Sequence, residues 1–292
     1  MKQLNLIFAL TFLTISAFAQ YPSTNIYVMD MDRIGDNYFK FSNPIFVNSD
    51  NQNGYNNQPC FINDDEMLVT SSRDGKQTDI FSYNFRTFAV TQLSDTKSIS
   101  EFSPTIIPNT QNKFSTICIE EDGKTQRLWE YTYGNKNIIR KVLLDKVFDV
   151  GYHEWLNPNQ VALFIVGTPH TLKIANVITE RIENYTSNIG RCMRTLDNGD
   201  LLFVQKSEDG WYLKRLDIIN LDIATIAPTP VDSEDFALLS DGTVIMGKGD
   251  KLYKLNVNRD RQWAVIADLG NFNLNKITRI AVSDNKIAIV GN

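Results

Sequence analysis

The sequence is organised by an internal repeat, in which a short apolar segment, a polar turn and a strongly apolar strand recur along the chain. In the first complete copy these elements cover residues 60–62, 63–66 and 67–69. The residues that mark the turn in successive copies are Asn63, Pro108, Asn157, Asp197, Ser240 and Ser283. Their spacing of about 40–49 residues is typical of β-propeller blades. No segment shows a sustained helical period, which argues against a helical solenoid.

A second sequence pattern, a polar hairpin, recurs at the same position within the repeat. Polar hairpins at residues 72–75, 120–123 and 207–210 each follow an apolar strand and end in Asp-Gly. Asp-Gly pairs suit tight turns because glycine adopts a positive φ without steric cost. An alternating strand follows each hairpin, and a fourth strand closes the unit. Each unit is therefore predicted to form four antiparallel strands.

The two ends of the sequence predict how the ring closes. The sixth unit stops at Asn292, after its first two strands. Residues 25–32 have the third-strand pattern and residues 38–47 the fourth-strand pattern. Joining them to the last unit would protect the strand edges that an open ring exposes. The predicted fold is all-β: a six-bladed β-propeller with four antiparallel strands per blade and a composite last blade.

A family resemblance rests on the segment Ser72-Arg73-Asp74-Gly75, on Asp79-Ile80-Phe81 and on residues 25–32. These resemble the repeat shared by TolB-type propellers and the propeller domains of prolyl-oligopeptidase-like peptidases. In that repeat Pro-x-aromatic-Ser-Pro-Asp-Gly precedes Ser-Arg-Asp-Gly and an Ile-Tyr-x-x-Asp strand. An intact Ser-Pro-Asp-Gly never occurs here. The resemblance implies a TolB-like fold and a binding or scaffolding role rather than an enzymatic one.

The first nineteen residues have the features of a secretory signal peptide. Lys2 supplies a positive start, residues 4–17 are mostly apolar, and Ala17-Phe18-Ala19 matches the small-x-small cleavage pattern. A membrane anchor is the alternative, but the apolar run is shorter than the ~20 residues that span a bilayer. We therefore expect a signal peptide at 1–19 and one propeller domain at 20–292. The protein is expected to be exported, to the periplasm or beyond the cell.

The charge balance limits the classes of partner. Without Lys2, 28 basic residues face 34 acidic ones, a net charge of −6. A mildly acidic chain without a basic stripe argues against nucleic acid and anionic membrane. A protein partner or a small polar ligand, bound by a monomer, is the expectation. The three cysteines are interpreted as small buried strand residues, the alternative being one disulfide and a free thiol.

Enzymatic chemistry has little support in the sequence. No Gly-x-Ser-x-Gly nucleophile motif occurs, and the two histidines, His153 and His170, do not have metal-ligand spacing. No cofactor is expected. The alternative function is a lactonase-like or glycan-active enzyme with a divalent ion in the channel. The residues whose side-chain oxygens would coordinate calcium in this alternative are Asn57, Glu101, Glu154, Glu234 and Asp235.

Candidate binding residues cluster at the start of the innermost strands, which line the channel of a propeller. The set comprises Arg191, Arg194, Arg279, Glu101, His153, Glu154, Glu234 and Asp235. One interpretation is a mixed-charge funnel for a polar ligand or partner on the face where these strands begin. The other is a ring of ion pairs with no ligand. We expect a polar or acidic group to bind through Arg191 and Arg194, because arginine can hold a carboxylate bidentately.

Overall fold

Residues 21–35, 38–134, 139–272 and 274–291 are described by a computed structural model. The predicted signal peptide lies outside these residues. In chain order the strands are β1 (Asn25–Arg33), β2 (Phe39–Phe46), β3 (Tyr55–Asn63), β4 (Glu66–Ser72), β5 (Asp79–Asn84), β6 (Val90–Gln92), β7 (Ser100–Ile106), β8 (Lys113–Ile119), β9 (Gln126–Thr132), β10 (Ile139–Val142), β11 (Val150–Asn157), β12 (Gln160–Ile165), β13 (Thr171–Asn176), β14 (Ile182–Ser187), β15 (Ile189–Thr195), β16 (Leu201–Ser207), β17 (Gly210–Leu216), β18 (Ile223–Pro228), β19 (Phe236–Leu238), β20 (Thr243–Lys248), β21 (Lys251–Asn256), β22 (Ala264–Asp268), β23 (Ile277–Val282) and β24 (Lys286–Gly291).

These strands form six antiparallel four-stranded sheets, and the predicted six-bladed propeller is confirmed. Blades 1 to 5 are continuous and consist of β3–β6, β7–β10, β11–β14, β15–β18 and β19–β22. Blade 6 has the order β2-β1-β24-β23. The innermost strands are β3, β7, β11, β15, β19 and β23, each next to the following one, with β23 beside β3. Blades 3 and 6 therefore lie opposite each other in the ring.

Blade 6 closes the ring as the sequence predicted. Strand β1 pairs antiparallel with β24, from Asn25 opposite Gly291 to Asp30 opposite Lys286. Lys286 Nζ also contacts Asp30 Oδ1 at 2.5 Å. The two ends of the described chain are thus held by main-chain hydrogen bonds in one sheet, which leaves no open gap between the first and last blades.

The apolar core lies between the blades. Among the described residues it divides into clusters, each at one interface between neighbouring blades. Between blades 1 and 2, for example, Leu68 and Ile80 pack with Phe114 and Tyr131. Because successive side chains of a strand point to opposite faces, each blade contacts both neighbours. The second strands therefore need apolar residues on both faces, which explains their continuous apolar sequence.

A recurrent polar residue ends the third strand of four blades. The side-chain Oδ1 of Asn84, Asn176, Asp217 and Asn256 accepts a hydrogen bond from the backbone N–H two residues later, at 2.8–3.1 Å. This contact reproduces a turn with side-chain atoms and fixes the hairpin to the outermost strand. Asn84 stands at the position of the Asp in the repeat's Ile-Tyr-x-x-Asp strand.

Two further expectations concern cysteines and membranes. All three cysteines are free thiols, with Cys118 and Cys192 buried and Cys60 half-buried. All three are strand residues, and the sequence-based interpretation of buried strand residues holds for Cys118 and Cys192 but not fully for Cys60. Gly270–Phe272 forms a single 3-10 turn. Within the described part of the chain, no helix is long and apolar enough to cross a membrane.

Candidate functional site

The central channel contains two cavities. The mouth cavity, of about 680 Å³, lies on the face where the innermost strands begin and includes Tyr55, Asn57 and Lys276 in its lining. The inner cavity, of about 290 Å³, is lined by later residues of the innermost strands. Arg191, Asp235, Arg279 and Ile280 line both cavities. These residues form a constriction that separates the two spaces.

Arg279 spans this constriction. Its Nη2 donates to the Tyr152 hydroxyl at 2.9 Å, and its guanidinium carbon lies 5.1 Å from the centre of the Tyr152 ring. Its Nη1 lies 3.3 Å from Asp235 Oδ2. Since Tyr152 belongs to blade 3 and Arg279 to blade 6, the contact crosses the channel. Hydrogen bonding and cation–π attraction act on the same pair.

Arg191 is anchored to two other blades. Its Nε lies 3.4 Å from Asp235 Oδ2, and its Nη2 donates to the Thr278 carbonyl at 3.1 Å. The Arg191 backbone N–H donates to Glu234 Oε2 at 3.2 Å. Gly190 leaves room for this approach, because a Cβ there would lie 3.0 Å from the same carboxylate oxygen. Arg191 therefore holds blades 4, 5 and 6 together at the constriction.

Glu234 faces a second cation that the sequence did not single out. Lys206 Nζ lies 2.7 Å from Glu234 Oε2 and 4.2 Å from the centre of the Trp211 ring. Burial opposes ionisation of Glu234, but Lys206 and Arg191 outweigh it, so the pKa of this carboxyl is lowered. Glu234 is therefore ionised near neutral pH and balances Lys206.

Arg194 lies in the inner cavity, away from the mouth cavity that Arg191 borders. Its Nη1 donates to the Met193 carbonyl at 2.7 Å, and Glu154 Oε2 is 3.8 Å away. Glu154 Oε1 accepts the Thr195 backbone N–H at 3.1 Å, and burial raises the pKa of Glu154. Both arginines of the predicted contact thus line the inner cavity, but only Arg191 also borders the mouth cavity.

His153 also lines the inner cavity, although only 6% of its surface is exposed. Its Nε2 lies 2.7 Å from Ser115 Oγ of blade 2. The Ser115 hydroxyl also accepts a hydrogen bond from Trp155 Nε1 at 2.8 Å. Burial lowers the pKa of His153 to about 3, so the imidazole is neutral at physiological pH.

Glu101 does not line the channel with the other predicted binding residues. It is fully buried between blades 1 and 2, where its Oε1 accepts hydrogen bonds from Thr96 Oγ1 at 2.8 Å and from the Tyr131 hydroxyl at 2.9 Å. Burial raises the pKa of Glu101 to about 7. Its side chain points to the interface between two blades because a strand residue faces a neighbouring blade, even on an innermost strand.

Of the five residues considered as calcium ligands, Asn57, Glu234 and Asp235 line the mouth cavity, whereas Glu101 and Glu154 lie elsewhere. Asn57 Oδ1 accepts the Gln58 backbone N–H at 2.8 Å, and Glu101 lies between blades 1 and 2. Glu154, Glu234 and Asp235 each face arginine or lysine. Among the residues that the structure describes, no group of three or more His, Cys, Asp or Glu side chains is placed to hold a metal ion.

The fold is similar to those of solved propeller structures. A putative TolB from Agrobacterium tumefaciens matches with a TM-score of 0.68 at 9% identity, over 92% of this chain and 98% of that one. The fold is a six-bladed β-propeller similar to that structure. TolB from Acinetobacter baumannii gives a TM-score of 0.61 at 10% identity, covering 92% of this chain and 64% of that one. A chain of the nidogen–laminin complex gives 0.64 at 8% identity, over 92% and 98%.

At the level of sequence, no protein-family model matches the chain, and no curated protein matches it significantly. The similarity to solved structures, at 8–10% identity, therefore concerns the fold.

Proposed function

We propose that the protein is an exported, non-catalytic binding or scaffolding propeller whose mouth cavity receives an acidic group of a ligand or protein partner. The propeller fold fits such a role, because it presents loops and strand ends on a rigid ring. The predicted signal peptide supports export to the periplasm or beyond the cell.

The observation that carries this proposal is the sharing of one carboxylate oxygen by two arginines. Arg191 Nε and Arg279 Nη1 lie 3.4 and 3.3 Å from Asp235 Oδ2. The mouth cavity is lined by four basic residues, Arg191, Lys248, Lys276 and Arg279, and by three acidic ones, Asp232, Glu234 and Asp235. Four minus three leaves one excess positive charge, in a chain whose net charge is −5. An acidic group would compensate this charge and add acceptors for the guanidinium groups.

The test uses exposed lysines at the rim, because Arg191 and Arg279 also hold the blades together. A partner or ligand retained by the wild-type protein is titrated against the double variant Lys248→Glu/Lys276→Glu. We expect binding to weaken about tenfold at low salt and the difference to shrink at high salt, since rim charges act mainly over long range. Lys40→Glu/Lys141→Glu, on the outermost strands β2 and β10, makes the same charge change and should have little effect.

Equal losses in both double variants would place the interface elsewhere. Loss only in the outer-strand variant would contradict the proposal directly. Thermal melting of both variants checks that the fold is intact, so that a fall in affinity is not a loss of folded protein.

A further inference from the structure

The inner cavity is lined by both polar and apolar residues. It shares only the residues of the constriction with the mouth cavity. The polar residues include Arg194 and His153, and the apolar ones include Phe61, Ile106, Met193, Leu238 and Val282. Its volume, about 290 Å³, lies at the lower end of the ~300–1,000 Å³ typical of small-molecule sites.

Arg194 has unused hydrogen-bonding capacity in this cavity. A guanidinium carries five N–H donors. One of them donates to the Met193 carbonyl, and Glu154 at 3.8 Å is beyond hydrogen-bond distance. The described residues offer no acceptor to the remaining donors, whereas Arg191 and Arg279 each have several partners. A planar donor group with free positions suits a carboxylate.

His153 supplies a second unused polar atom. Its Nδ1 is buried and has no hydrogen-bond partner among the described residues. Ser115 Oγ has one hydrogen, which can go to His153 Nε2 at 2.7 Å or to the Thr105 carbonyl at 3.3 Å. Donation by Ser115 Oγ to Nε2 leaves the proton of the neutral imidazole on Nδ1, as a donor in need of an acceptor, whereas donation by Nε2–H to Ser115 would leave Nδ1 as a buried lone pair.

The charged residues that line the inner cavity determine which ligand charge it favours. Three arginines, Arg191, Arg194 and Arg279, face two carboxylates, Glu154 and Asp235. Three minus two leaves one excess positive charge in the lining. A buried site with one excess positive charge favours a monoanion over a neutral molecule or a dianion.

We propose that the inner cavity binds a small organic monocarboxylate with an apolar tail. Arg194 holds the carboxylate, the Nδ1–H of His153 donates to an oxygen of the same ligand, and the tail contacts the apolar residues of the lining. This site is distinct from the mouth cavity, so it does not depend on the proposed function.

Isothermal titration with hexanoate tests the proposal, with hexanamide as the neutral analogue of the same shape. We expect saturable one-to-one binding of hexanoate and affinity at least about tenfold lower for hexanamide. Arg194→Gln should weaken hexanoate binding at least about tenfold, whereas Arg261→Gln, an exposed arginine outside both cavities, should leave it unchanged. No saturable binding, equal binding of the amide, or unchanged affinity in Arg194→Gln would each overturn the proposal.

A spectroscopic measurement tests the role of His153 without a substitution. In protein labelled with ¹⁵N-histidine, the ring-nitrogen shifts report which nitrogen carries the proton. We expect the Nδ1-protonated tautomer, and a shift of its resonance on addition of hexanoate. Protonation on Nε2, or a resonance that hexanoate does not move, would contradict this contact.

The outcome is separable from that of the proposed function. The rim variant Lys248→Glu/Lys276→Glu should bind hexanoate like the wild type, because these lysines do not line the inner cavity. If hexanoate fails to bind while the rim variant still loses its partner, the inner-cavity proposal alone is wrong.

Discussion

Arg279 and Tyr152 meet across the centre of the ring, with the Arg279 Nη2 donating to the Tyr152 hydroxyl over 2.9 Å although 127 residues separate them. Blades 6 and 3 share no blade-to-blade interface, so this contact joins parts of the propeller that no apolar cluster connects. It also forms the boundary between the mouth cavity and the inner cavity. The Arg279–Tyr152 pair thus connects two opposite blades and lies between the two cavities of the channel.

Tyr152→Phe should therefore lower the stability of the protein. The substitution removes a hydrogen bond to a charged group of which 14% is exposed, and such bonds contribute about 1.5–3 kcal/mol. Tyr212→Phe is the matched control, because the Tyr212 hydroxyl donates to Asp209 in an exposed hairpin. Denaturant unfolding measures both free energies. Equal changes in the free energy of unfolding of the two variants would show that the contact across the channel contributes no more to stability than the exposed Tyr212 hydrogen bond.

Closure of the ring gives a second prediction. Deleting residues 25–33 removes β1 and leaves β24 and β2 without their shared neighbour. Exposed strand edges promote aggregation, so we expect insoluble or protease-sensitive protein. A circular permutant is the control. Asn25 lies opposite Gly291, so a short linker can join these ends while new termini open between residues 95 and 98. This permutant keeps every strand and should remain soluble. A soluble deletion variant with an unchanged melting temperature would contradict the closure model.

The fold was predictable because its signals are local and repeated. The third-strand pattern at residues 25–32 and the fourth-strand pattern at 38–47 correspond to β1 (Asn25–Arg33) and β2 (Phe39–Phe46). Each rests on alternation and turn residues, which are visible within ten residues of sequence. Closure then follows from the missing strands of the last unit. The motif is degenerate, but several imperfect copies at a regular spacing are enough to identify the four-stranded blade as the repeating unit.

The site was less predictable because it depends on which neighbour a side chain faces. Glu101 and Glu154 both lie on innermost strands, yet Glu101 is buried against blade 1 and Glu154 approaches Arg194 of blade 4. A change of one position along a strand moves a side chain to the other face. The Arg279–Tyr152 contact further requires the positions of opposite blades, which no local pattern contains. Lys206 and Gly190 were missed for the same reason.

Chelation tests the alternative function with a bound divalent ion. If no ion stabilises the folded protein, EDTA should leave the melting temperature unchanged, because nothing linked to the folded state is removed. Differential scanning calorimetry with and without EDTA measures this. A fall in melting temperature that calcium reverses would support the lactonase-like alternative.

The buried carboxyl pair between blades 1 and 2 predicts a pH dependence of stability. Asp79 and Glu101 interact at this interface, and burial raises the pKa of both. Burial raises the pKa of Glu101 to about 7, from an ordinary value of 4.5. Between these pH values the folded protein keeps a proton that the unfolded chain releases. Raising the pH through this window therefore favours unfolding.

Glu101→Gln should remove this contribution. The amide oxygen can accept the hydrogen bonds from Thr96 and Tyr131 that now reach Oε1, and the amide nitrogen can donate towards Ser94, 3.3 Å from Oε2. The variant's melting temperature relative to the wild type should rise from pH 4.5 to pH 7 and then level off. The gain in stability is on the order of 3 kcal/mol at most. Glu208→Gln, in an exposed hairpin, is the surface control. A difference between Glu101→Gln and wild type that stays constant over this range would mean that Glu101 is ionised throughout, with its pKa not raised by burial.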